Sequence, residues 1–95
     1  MKKMTIVRFK PKPEYYDQFV QDIVEHNQHG GDAHVHEARV MTAGEEVVVM
    51  VIRDAEKLAQ SASEGVAWLD TKRHMLQEYN AEDRHTLPMT GDLVE

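Results

Sequence analysis

The sequence predicts an α+β fold whose elements run β-α-β-β-α-β around an antiparallel sheet, and three observations support this. Residues 4–10 alternate between two faces, apolar residues recur every four positions between Tyr15 and Val24, and two strand-like runs meet at Ala43-Gly44 with no length for a crossover. A chain of 95 residues has room for one core of this kind, so residues 1–95 are read as a single domain.

In the first strand Thr5, Val7 and Phe9 share one face and Met4, Ile6 and Arg8 the other, so both faces carry apolar groups. Pro11 and Pro13 end it, and Pro13 suits the first turn of a helix, where its missing N–H is not needed. Tyr15/Tyr16, Phe19/Val20 and Ile23/Val24 then form one apolar stripe, with Asp17, Gln18, Gln21, Asp22 and Glu25 elsewhere. This helix is expected to stop at Gly30-Gly31, since glycine supplies a left-handed cap without strain.

Residues 33–42 and 45–53 read as a hairpin turning at Ala43-Gly44. A tight turn there sets Val40 and Ala38 beside Val47 and Val49, and His36 and His34 beside Val51 and Arg53. Asp54 is a candidate helix N-cap, and Leu58, Ala62, Trp68, Leu69, Met75, Leu76 and Tyr79 supply a buried helical side. Gly65 is expected to divide that region into helices at 55–63 and 66–79. In the tail, Leu87, Met89 and Leu93 flank Pro88, which cannot donate to a ladder and so suits an edge strand or an arm.

The run Val47-Val48-Val49-Met50-Val51-Ile52 is apolar at every position. Such a strand is buried on both faces, whereas one layer of helices covers only one. A domain this small also buries only roughly 60 to 65% of the surface its unfolded chain exposes. A second copy of the same sheet is the expected cover, which makes the chain a homodimer.

Composition narrows the remaining choices. The chain is 41% hydrophobic and 29% charged, and no apolar run reaches the ~18 residues of a membrane span. Arg8 and Lys10 interrupt the apolar stretch after Lys2-Lys3 before it can serve as an export signal, so a cytoplasmic protein is expected. The absence of cysteine excludes disulfides, thiolate metal sites and cysteine nucleophiles. Eleven basic against seventeen acidic residues give a net charge of -6, without a basic patch to offset it, so neither nucleic acid nor membrane is an expected partner. Gly30-Gly31 is too short for a nicotinamide or flavin phosphate loop, and no cofactor is expected.

Histidine is the chemically unusual residue here: four of the six fall between His26 and His36. His34 and His36, two apart on a strand, would share a face, as metal-binding pairs do, but a third ligand would have to come from Glu37, His26, His29 or another strand. No metal site is assigned on two ligands, and the pair is read as the solvated or hydrogen-bonded end of an edge strand. His74 lies four residues from both Asp70 and Glu78, a spacing that serves a surface charge ladder or presents a general base. Arg8, on a strand this order makes central, needs a partner such as Glu37 or Glu46, or an anion to hold. Trp68, Tyr15, Tyr16, Phe19 and Tyr79 read as core or pocket wall.

The segment TIVRFKPKPEYYDQFV from Thr5 to Val20, the valine strand ending in Ile52-Arg53-Asp54-Ala55, and a late helix with Trp68 together resemble the antibiotic-biosynthesis-monooxygenase-like group of dimeric α+β barrels. The resemblance covers nearly the whole chain and is one of element order and length. It implies a ferredoxin-like subunit whose sheet meets that of a second copy face to face, with helices outside. It also implies two kinds of function: a cofactor-independent monooxygenase acting on a small aromatic or quinol-like substrate, or a non-catalytic dimeric module that binds a small ligand or metal. In the first, Trp68 and Phe19 would shape the pocket with Arg8, and His34, His36 or His74 would position or deprotonate the substrate. Haem-degrading relatives pair a first-strand asparagine with a tryptophan and a histidine on the late helix. Only Trp68 matches that set, because the first strand has no asparagine and His74 follows Trp68 too closely.

Overall fold

Period-two alternation builds the sheet, and two helices cover one of its faces. The computed structural model describes residues 1–29, 35–82 and 85–94, side chains at 28, 29 and 58–62 excepted. Strand β1 (Lys2–Phe9) leads into helix α1 (Tyr16–His29), a hairpin of β2 (Val35–Ala43) and β3 (Glu46–Asp54), helix α2 (Leu58–Asp70) and strand β4 (Thr86–Asp92). The fold is therefore α+β, with a four-stranded sheet in the order β2-β3-β1-β4 and every neighbouring pair antiparallel. The expected stop of α1 at Gly30-Gly31 lies outside the described residues.

The register separates the two faces. Val7 opposes Val49, Phe9 opposes Val47 and Val40 opposes Val49, so these side chains share the helix-covered face. There Phe9, Val47, Val49 and Val51 meet Phe19 and Ile23 of α1 and Leu69 of α2 in one buried cluster. Phe19 and Val47 are completely buried. Val48 is also buried but lies outside that cluster, because alternation turns it to the opposite face with Met4, Ile6, Met50 and Ile52. On that face Met41 and Met89 are 59% and 65% exposed.

Three features depart from the sequence expectation. The hairpin turns at Gly44-Glu45 rather than Ala43-Gly44, since Gly44 takes a φ of 64°, which the tight primed turns of hairpins require. Ala38 consequently opposes Val51, and a bulge between Val35 and Glu37 removes His36 from the ladder. The second departure is that α2 runs unbroken through Gly65. A helical glycine costs only about 1 kcal/mol relative to alanine, which packing against the core readily offsets.

Third, the helix ends at Asp70 instead of continuing to residue 79. Thr71 closes it, its Oγ1 donating to the Trp68 carbonyl at 2.6 Å. Beyond a short 3-10 turn at Arg73–Met75, the chain becomes extended and lies against residues 10–12. Lys12 N–H donates to the Met75 carbonyl and Gln77 N–H to the Lys10 carbonyl, both at 2.8 Å. Backbone groups leaving β1 require partners, and this pairing supplies them while still burying Met75 and Leu76. The tail forms an edge strand, β4, beside β1, with Pro88 opposite Val7.

Replacement of Phe19 by alanine is expected to lower stability by about 3–5 kcal/mol, read as a lower urea midpoint with an unchanged slope.

Candidate functional site

Between the sheet and the two helices lies a cavity of about 510 Å³, within the range of small-molecule sites. Val7, Val49 and Val51 form its floor, Ile23 and His26 of α1 one wall, and Trp68 and Leu69 of α2 the other. Thr5, Thr86 and Thr90 add hydroxyl-bearing side chains from β1 and β4. Gly65 leaves room at the wall, since nothing lies within 4 Å of where a Cβ would stand.

Trp68 is held by its neighbours. Its indole stacks on the His26 imidazole, centroids 4.6 Å apart and planes at 22°, and meets the Phe19 ring at 6.0 Å. Phe19 in turn lies 5.2 Å from Phe9, so four rings run from the sheet through the core to the cavity wall. Lys72 Nζ sits 5.9 Å from the indole centroid and is anchored by Asp22 at 2.9 Å. Burial holds the His26 imidazolium below its ordinary pKa of 6.5, which favours the neutral ring near neutral pH. Asn27, beside it in the wall, has Nδ2 buried with no acceptor among the described residues, at a cost of about 1–3 kcal/mol.

Of the residues singled out from sequence, Trp68 lines this cavity and Phe19 lies behind it as core. Arg8 points to the opposite sheet face, because alternation separates it from Val7 and Phe9. Its guanidinium grips Glu46 with both ends, Nε to Oε1 at 3.0 Å and a terminal nitrogen to Oε2 at 2.8 Å, so Glu46 is its partner rather than Glu37. Tyr79 donates its hydroxyl to the same carboxylate at 2.6 Å. Burial, then the hydrogen bond to Glu46, raises the Tyr79 phenol well above its usual pKa.

His36 is also elsewhere: displaced by the bulge, it meets Asp54 Oδ1 through Nε2 at 2.8 Å. His74 is exposed in the turn after α2, edge-on to Tyr15 at 5.8 Å, and so shares no helical stripe with Asp70 and Glu78. His34 lies outside the described residues. Among those described, no group of three or more His, Asp or Glu side chains is placed to hold a metal ion, and no helix is long and apolar enough to cross a membrane.

His26 is the cavity residue that sequence reading passed over, having treated it only as a possible metal ligand. The signal was present: Phe19, Ile23 and His26 are spaced four and three apart, on one face of α1. His85 was likewise undervalued. It is buried, and its Nδ1 lies 3.2 Å from an Arg73 terminal nitrogen; arginine can only donate, so Nδ1 is the acceptor.

In comparison with known proteins, no family model matches this chain and no curated protein matches it.

Two carboxylates outside the cavity are held below their ordinary pKa by hydrogen-bonded cations. The Lys72 hydrogen bond holds Asp22 below its ordinary 3.8, and the Arg8 hydrogen bond, then that of Tyr79, holds Glu46 below its ordinary 4.5. A lowered carboxylate pKa contributes stability above the ordinary value and loses it as pH falls through the lowered one. The wild type should therefore lose stability as the pH falls below the ordinary carboxylate range, and a variant with Asp22→Asn and Glu46→Gln should lose less over the same acidification in urea titrations.

Proposed function

We propose that this protein is a homodimer of the antibiotic-biosynthesis-monooxygenase-like type, and that its cavity takes a small aromatic or quinol-like molecule for cofactor-independent oxygenation. The cavity beneath Trp68 carries the reading. A reaction without flavin, haem or metal needs an electron-rich substrate, a dry site that holds its ring, and a group able to take its proton. In such a reaction one oxygen atom enters the substrate, the other leaves as water, and the substrate supplies all the electrons. Val7, Val49, Val51 and Leu69 give the site its apolar lining, Trp68 offers a ring face, and His26 a neutral imidazole.

The β-α-β-β-α-β order and the β2-β3-β1-β4 sheet are consistent with a ferredoxin-like subunit. In this reading the face bearing Met4, Ile6, Met50 and Ile52 meets its counterpart in a second copy, forming a dimeric α+β barrel with the helices outside. Met41 and Met89, the most exposed apolar side chains of that face, would be covered as well. Thioether side chains suit such a surface because they adapt to irregular gaps.

Trp68 is the only tryptophan, so its fluorescence reports on the cavity directly. Incubation with a panel of quinols and polycyclic phenols under air should give saturable quenching together with oxygen uptake. Trp68→Leu, read by calorimetry because it removes the only indole, should weaken binding by about two- to tenfold through loss of the indole face. Quenching without uptake would mark a non-catalytic binding module, and the absence of both signals would overturn the reading.

A further inference from the structure

Beyond naming a substrate class, the cavity indicates how a ligand would be oriented. We infer that His26 receives the ligand's hydroxyl: the preferred occupant is an aromatic hydroxyl compound that donates a hydrogen bond to a ring nitrogen of His26. The inference rests on the ligand-binding reading of the cavity and adds to it the residue that distinguishes a phenol from other flat apolar molecules.

Three observations support it. His26 stands in the cavity wall and not in the closed core, so its ring is within reach of an occupant. Its contact with Trp68 is through the ring face, at 4.6 Å and 22°, and a face-to-face stack leaves the in-plane nitrogens free to bond. Among the described residues no group hydrogen-bonds either nitrogen. A half-buried imidazole whose polar edge has no partner among the described residues is available to a ligand group.

The surroundings favour the acceptor role over an anion site. From α1, Asp22 lies one turn before His26, tied to Lys72 from the turn after α2. From β3 and α2, Arg53 and Glu64 also face the cavity, one of each sign and both engaged in interactions of their own. These charges offset one another, and burial is what shifts the imidazole, toward the neutral form that can accept. Transfer of the hydroxyl proton along the same bond forms N–H at His26, breaks the ligand O–H, and leaves the electron pair on an aryloxide. That electron-rich ring is the starting point of the oxygenation proposed above.

The test is a four-way comparison by calorimetry under nitrogen, using 4-methylphenol and its methyl ether, 4-methylanisole, against the wild type and His26→Phe. The two probes have nearly the same shape, and only the phenol can donate. The wild type should prefer the phenol by about fivefold, the worth of one hydrogen bond. His26→Phe, which keeps a ring against Trp68, should abolish the preference, and His26→Gln, which retains an acceptor, should keep it. On acidification the wild-type preference should shrink, because imidazolium has no acceptor nitrogen. A preference that survives His26→Phe would overturn the assignment of His26 and leave the cavity as a binding site. Failure of the wild type to bind either probe would overturn both.

Discussion

Every part of this molecule depends on the burial of β3. Its even and odd positions point to different faces, yet Val47, Val49 and Val51 on one side and Val48, Met50 and Ile52 on the other are all apolar. Full burial of each such side chain contributes about 1.5–3 kcal/mol, so a strand satisfied on one face only would forgo a large share of what a small domain can gain. Helices α1 and α2 cover the odd positions and, with them, create the core. The even positions remain on a face where neighbouring side chains such as Met41 and Met89 are largely exposed.

The same strand fixes the cavity. Val49 and Val51 lie on its floor because they belong to the helix-covered face, and the cavity forms where the helices stand off from the sheet instead of closing on it. At one end Phe19 and Leu76 are almost wholly buried in the core. At the other, Gly65 contributes no side chain, and the stacked pair of His26 and Trp68 forms a wall instead of a plug. An aromatic run anchored in the core thus ends in two rings that line the cavity. This is the arrangement a site needs if its walls are to hold their geometry when a ligand enters.

Element order and the apolar character of both faces of β3 were legible in the sequence, since each depends on periodicity, while Trp68 could be read only as core or pocket wall. What periodicity could not supply was competition between alternatives. Leu69 and Leu76 are seven apart and read as one helical face, but the backbone of residues 10–12 draws 75–77 into extended pairing, a demand visible only once the segments after β1 and after α2 meet. The histidine pair at His34 and His36 assumed a regular strand, and the bulge at Val35 turned His36 to Asp54. Arg8 was recognised as needing a partner, and Glu46 meets that need, but on the face away from the cavity. His26 was the converse case: a polar residue on an apolar stripe, discounted because the histidine cluster drew attention to metal ligation.

The central claim is that a second copy covers the outer face of β3, and sedimentation equilibrium at micromolar concentration tests it most directly. The account predicts that the wild type sediments as a dimer, and that Met50→Lys, which places a charge in the middle of that face, sediments as a folded monomer. A wild type that remains monomeric at these concentrations, with amide exchange along β3 as slow as in a buried strand, would contradict it.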